Sequence, residues 1–173
     1  FLKGKALILS DCGVIEKPDS ETLSAIAEAS VESARAFKIG TPKVAFLSYS
    51  TKGSAKSEDV TKVREAFEIF KKKNKDVLAD GELQFDASMV KSVADHKAPN
   101  SPIGGDANVL IFPDINAGNI CYKTTQYIGG LNAVGPILQN LKKPVNDLSR
   151  GCNVNDIVML SVITALQCDE GKK

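Results

Sequence analysis

Three short, unbroken apolar runs frame this chain: Ala6-Leu7-Ile8-Leu9, Val44-Ala45-Phe46-Leu47 and Val109-Leu110-Ile111-Phe112. A run of this length between turn signals reads as a buried strand. Helical periodicity fills the spaces between them. Leu23, Ile26, Ala27, Val31, Ala34 and Phe37 recur every three or four residues, after a Pro18-Asp19-Ser20 start and before Gly40 and Pro42. Val60, Val63, Phe67 and Phe70 mark a second helix, with Lys71-Lys72-Lys73 in its last turn, where cations suit the negative helix end. Asp80 through Asp86 reads as a turn plus a short strand, and residues 87–94 as a helix. A further helix is expected over residues 119–127, broken by Gly129-Gly130. Pro136-Ile137-Leu138 is a weak strand candidate, and a final helix is expected over residues 154–167, with Ile157, Leu160, Val162, Ile163 and Leu166 apolar. Strands alternating with helices predict an α/β fold: a layered, mainly parallel sheet flanked by helices.

Charge narrows the function classes. Hydrophobic residues make up 43% and charged residues 25%, and formal net charge is +1. No global field favours nucleic acid or an anionic membrane, so anion binding must come from a local site. No apolar run approaches the roughly 20 residues needed to span a bilayer. Cys12, Cys121, Cys152 and Cys168 form no CxxC pair, and His96 stands alone, so no metal cluster is expected. Reduced thiols and a cytoplasmic location are the expectation. The opening Phe1-Leu2-Lys3-Gly4-Lys5 runs almost at once into a strand, so the sequence reads as beginning in mid-protein.

Arginine is scarce: Arg35 and Arg64 fall inside helical patterns, and Arg150 does not. Arg150 belongs to a polar loop, Asp147-Leu148-Ser149-Arg150-Gly151-Cys152, that leads straight into a helix start. Free N–H groups and the positive dipole end attract anions there. An Arg fork grips phosphate with two parallel hydrogen bonds, a geometry lysine lacks. A neighbouring hydroxyl can donate to a developing oxyanion. The same residues admit a plainer reading, in which Asn153 caps the helix, Asp156 is its reciprocal partner, and Ser149 and Arg150 are ordinary loop residues. A second polar loop, Asn116-Ala117-Gly118-Asn119-Ile120-Cys121-Tyr122-Lys123, opens a helix after a strong strand, a position where ligands often bind.

Five segments resemble the phosphate acetyltransferase (phosphotransacetylase) family, in that family's order and spacing. They are Ser48 through Ser54, Asp80 through Gln84, Asn108 through Asp114, Gly135 through Gln139, and Pro144 through Cys152. The resemblance implies a fold like that of the isocitrate and isopropylmalate dehydrogenases. Residues 1–140 would form the second α/β domain. Residues 141–173 would be a returning segment of the first, whose amino-terminal part is absent, so that this chain alone would be inactive.

The resemblance further implies reversible acetyl transfer between acetyl phosphate and coenzyme A. The thiolate attacks the acyl carbonyl and phosphate leaves. Asp156 would assist thiol deprotonation, Ser149 would hydrogen-bond the carbonyl oxygen, and Arg150 would hold the phosphate. Asn116, Asn119, Tyr122, Lys123, Gly151 and Cys152 are candidate substrate contacts. Coenzyme A is expected as a substrate, with no tightly bound cofactor and no metal, and a homodimer is implied. A thiol of pKa about 8.5 and a carboxylate of about 3.9 are separated by roughly 6 kcal/mol, so a solvated Asp is a poor base unless closure removes its water. Two alternatives stay open: a non-catalytic regulatory or oligomerisation domain of the same kind, and a phosphate butyryltransferase. A dehydrogenase of the related fold lacks support, because no GxGxxG is present.

Overall fold

A computed structural model of the chain describes residues 4–170, so Phe1, Leu2 and Lys3 of the opening segment lie outside it. Four parallel strands form one sheet in the order β1-β4-β2-β3. They are β1 (Ile8–Ser10), β2 (Lys43–Leu47), β3 (Leu78–Leu83) and β4 (Val109–Ile111). The connecting helices are α1 (Ser20–Ala36), α2 (Glu58–Lys73), the short α3 (Phe85–Met89) and α4 (Lys91–Lys97), and α5 (Ile115–Tyr127). The last element among the described residues is α6 (Val154–Glu170).

The apolar runs are continuous because both sheet faces are covered. Val44, Phe46, Val109 and Ile111 point to one side, against Leu23, Ile26, Val31, Val63 and Phe70 of α1 and α2. Ala45, Leu47, Leu110 and Phe112 point to the other, against Leu83, Ile103, Ala117 and Cys121. Helix starts are capped by side chains, as their sequences lead one to expect. Asp19 accepts from the Thr22 N–H at 2.8 Å, and Ser57 from the Val60 N–H at 3.2 Å. The Lys71 ammonium donates to the Lys75 and Val77 carbonyls, so it serves the helix end.

Three boundaries depart from the sequence reading. Asp80-Gly81 is the middle of β3 and not a turn. Gly81 stands there because a Cβ would come within 2.7 Å of the Phe46 Cβ, and Asp80 is buried with the Lys52 ammonium on its carboxylate. The helix expected over residues 87–94 is broken at Val90, whose backbone is extended. The Ser88 carbonyl accepts from the Ala107 N–H at 3.0 Å, which diverts it from a helical partner. Pro136-Ile137-Leu138 forms no strand, only an isolated antiparallel bridge between Ile137 and Asn146. Small shifts occur elsewhere: α1 stops at Ala36, with Lys38 in the left-handed region, and α5 begins earlier, at Ile115, capped by Asp114.

At the end of β3 lies a buried charge network. The Glu82 carboxylate, 1% exposed, accepts from Arg64 Nε at 3.1 Å, Ser50 Oγ at 2.8 Å and the Gly53 N–H at 2.7 Å. The hydroxyls and lysine of the Ser48–Ser54 loop are thus bound into the fold. Burial pushes the Glu82 carboxyl up, but the bonds from Arg64, Gly53 and Ser50 outweigh it and bring it down to about 2. A carboxyl held below its unfolded value stabilises fully above the ordinary range of about 4.3 and loses that contribution as pH falls toward its folded value. Acid denaturation monitored by circular dichroism therefore has a clear expected outcome. The parent should lose more stability than Glu82→Gln between about pH 4.3 and its folded pKa, although the variant is less stable at neutral pH. Parallel acid profiles for the two proteins would show that Glu82 carries none of the dependence.

Candidate active site

The carboxyl ends of β1 and β4 lie side by side, and β1 with the turn that follows it lines a cavity of about 820 Å³ together with α1, α5 and residues 131–141. Only the turn after β1 lies at the carboxyl end of the sheet, where α/β folds often place ligands. From β1 come Ser10, Asp11 and Cys12. The Asp11 carboxylate accepts from the N–H groups of Gly13, Val14 and Ile15 at 2.7, 3.1 and 2.8 Å, which fixes the turn. Gly118, in the first turn of α5, permits the close approach: a Cβ there would sit 2.2 Å from the Asp11 carbonyl oxygen. Asn119 Nδ2 donates to the Cys12 carbonyl at 3.0 Å. Burial above all, then the neighbouring Asp11 and Cys121, push the Cys12 thiol up to about 12, so it stays protonated and unreactive.

From α5, Asn119, Tyr122 and Lys123 line the cavity. Ser149, Gly151, Cys152 and Asp156 line the same cavity from the loop and first turn of α6. Asn116 and Arg150 are exposed and do not line the cavity, and no ion pair among the described residues involves Arg150.

The loop is a tight turn. The Cys152 N–H donates to the Ser149 carbonyl at 3.0 Å, and the Gly151 N–H to Ser149 Oγ at 3.3 Å. Because Ser149 Oγ accepts there, its proton remains available to donate into the cavity. Asn153 and Asp156 exchange reciprocal bonds: Asp156 N–H to Asn153 Oδ1 at 3.0 Å, and Asn153 N–H to Asp156 Oδ2 at 2.9 Å. This is the capping geometry of the plainer sequence reading, and it coexists with a place for Asp156 in the cavity wall. Among the described residues no cluster of three or more His, Cys, Asp or Glu could hold a metal ion.

The chain matches the model of the family described as phosphate acetyl/butaryl transferase over residues 1–165. It belongs to that family. It is 54% identical over 160 residues to the phosphate acetyltransferase of Bacillus subtilis (strain 168), covering 92% of this chain and 49% of the relative. Its fold superposes on the EutD phosphotransacetylase from Staphylococcus aureus with a TM-score of 0.90 at 51% identity, covering 95% of this chain and 51% of that one. A branched-chain phosphotransacylase from Enterococcus faecalis V583 follows at a TM-score of 0.75 and 25% identity, covering 91% of this chain and 58% of that one. The chain thus spans about half the length of the curated relatives it matches.

Two features in and around this candidate site escaped sequence reasoning. The β1 wall is one; the Asp-Cys-Gly turn after a buried strand was its local signal. The other is Asn146, a half-buried residue that binds segments far apart in sequence. Its Nδ2 donates to Thr164 Oγ1 at 2.8 Å and Gln167 Oε1 at 2.7 Å, and its Oδ1 accepts from the Leu138 N–H at 3.0 Å. No spacing rule announces such a residue.

Proposed function

We propose that the whole protein catalyses reversible acetyl transfer between acetyl phosphate and coenzyme A. The observation that carries this reading is the meeting of Ser149, Gly151, Cys152 and Asp156 with Asn119, Tyr122 and Lys123 on one cavity. In the forward step the coenzyme sulfur bonds to the acetyl carbon, the C–O bond to phosphate breaks, and the thiol proton passes to Asp156. The hydroxyl of Ser149 donates to the carbonyl oxygen as charge gathers there. Arg150, one residue on and unpaired within the described residues, would swing to hold the departing phosphate. Lys123 and Tyr122 line the same cavity, and there they would meet the remaining phosphate oxygens. Acetyl is favoured over butyryl or branched acyl groups by the much higher identity to relatives named for acetyl transfer.

Coenzyme A enters as substrate, and no tightly bound cofactor or metal is required. No helix among the described residues is long and apolar enough to cross a membrane, and we place the protein in the cytoplasm. The helix α6 exposes Val154, Ile157, Val158, Val162 and Leu166, and among its described residues only Leu160 is buried. An apolar helix surface of this kind calls for a partner. We assign residues 141–173 to a first domain completed by further chain, residues 1–140 to a second, and the complete protein to a homodimer. The present chain alone is accordingly expected to be inactive.

The experiment is an assay of acetyl-CoA formation from acetyl phosphate and coenzyme A by the full-length protein. Absence of turnover would overturn the reading. Asp156 separates its two duties by substitution. Asp156→Asn keeps an acceptor for the Asn153 N–H, so stability should hold while turnover falls at least 10²-fold, the scale of a general base. Asp156→Ala loses the cap as well and should cost about 1 kcal/mol more in urea unfolding. Unchanged turnover in Asp156→Asn would remove the base role.

A further inference from the structure

We infer that Asn146 is a positioning residue that fixes the 149–152 loop against the cavity; this rests on the acetyl-transfer reading of that cavity. The amide has one possible orientation. A backbone N–H donates only, so the atom facing Leu138 N–H must be Oδ1, and Nδ2 must face Thr164 and Gln167. Thr164 Oγ1 in turn donates to the Leu160 carbonyl at 2.7 Å, which leaves its lone pair aimed at Asn146. Leu160, Thr164 and Gln167 lie on one face of α6, and Leu160 is its buried anchor.

Asn146 therefore ties three pieces together: the face of α6, the 136–138 segment and the loop that follows it. The Ile137–Asn146 bridge and the Asp147 N–H to Pro136 carbonyl bond at 3.4 Å extend the same seam. The 136–138 segment lines the cavity, and the neighbouring Gln139 donates to Ser33 Oγ of α1 at 2.8 Å. The far end of the loop is held by the Asn153–Asp156 cap. Ser149 to Gly151 thus hang between two fixed points. Removal of the first leaves the loop attached only at the helix start, and Ser149 loses its fixed place in the cavity lining.

The test uses the full-length protein and two readouts. Asn146→Leu keeps the branched shape of the side chain and deletes its side-chain hydrogen bonds. It should lower kcat by about 100-fold, the scale of an ångström-level misplacement, with KM for coenzyme A changed less than about 3-fold. Asn146→Asp keeps the acceptor for Leu138 N–H, and the Gln167 amide can turn its NH₂ toward the new carboxylate. It should recover kcat to within about 5-fold of the parent. The second readout is the rate of trypsin cleavage after Arg150, followed by mass spectrometry, which should rise about 10-fold in Asn146→Leu as local opening becomes more frequent. If Asn146→Leu does not fold, Thr164→Val removes one acceptor from outside the loop and should shift both readouts in the same directions.

Parent-like kcat and cleavage in the variants, measured well below their melting temperatures, would overturn the inference. So would a loss confined to KM, or a loss that Asn146→Asp shares in full. Should the parent protein make no acetyl-CoA, the acetyl-transfer reading fails, and the cleavage rate alone decides whether Asn146 holds the loop.

Discussion

Full-length protein carrying Ser149→Ala should turn over 10²- to 10³-fold more slowly than the parent, a loss of about 3–4 kcal/mol in transition-state stabilisation. The magnitude follows from what the hydroxyl has left to give. Its oxygen already accepts the Gly151 N–H at 3.3 Å, so the proton is free to serve the carbonyl oxygen as it becomes anionic. In the ground state that oxygen is a weak acceptor and the bond contributes little. The loss should therefore appear in kcat, with KM for acetyl phosphate nearly unchanged. Ser149 is exposed, so unfolding free energy should move by less than about 0.5 kcal/mol. Steady-state kinetics with urea unfolding on the same preparation checks both halves. A rise in KM at constant kcat would make Ser149 a binding residue only.

The capping residues and the apolar runs were legible because their signals are local. Asp19 and Asn153 stand just before helical periodicity, and each caps the helix that follows. Three of the four strands were legible because four apolar residues in a row leave few other folds. What failed were positions where composition serves packing at a distance. Asp80-Gly81 has the chemistry of a turn, yet Gly81 is glycine because of Phe46 and Asp80 is buried with Lys52, and neither partner is near in sequence. The break at Val90 depends on Ala107 arriving at the Ser88 carbonyl. In the site, the 149–156 segment was legible as a polar loop entering a helix, and the α5 loop as its partner. Arg150 drew attention by its place in that polar loop and by the family resemblance, and Asn116 by the loop that opens α5, yet neither lines the cavity. Asn146 and the β1 turn were hidden because their roles consist of contacts across the chain. On α6 the pattern marks apolar residues but does not say which surface covers them.

Stability and chemistry should part at Phe46, where Phe46→Ala is expected to cost about 3–5 kcal/mol. Phe46 lies fully buried on the central strand β2, flanked by β4 and β3. Its ring meets Phe70 at 5.5 Å and Phe67 at 6.0 Å between centroids, so truncation removes two aromatic contacts along with buried area. Relaxation is blocked on one side, because β3 already approaches as closely as Gly81 allows. The void therefore persists, which places the cost at the upper end for such truncations. Phe46 points to the α1–α2 face, and the loop carrying Ser149 is held by α6 and the 136–138 segment. At temperatures where the variant stays folded, kcat of the full-length protein should remain within about 3-fold of the parent, in contrast to Ser149→Ala. Urea unfolding would show a lowered midpoint at unchanged slope. A midpoint shift equivalent to less than about 1 kcal/mol would mean that the sheet and its helices close over the void, contrary to the packing around Gly81.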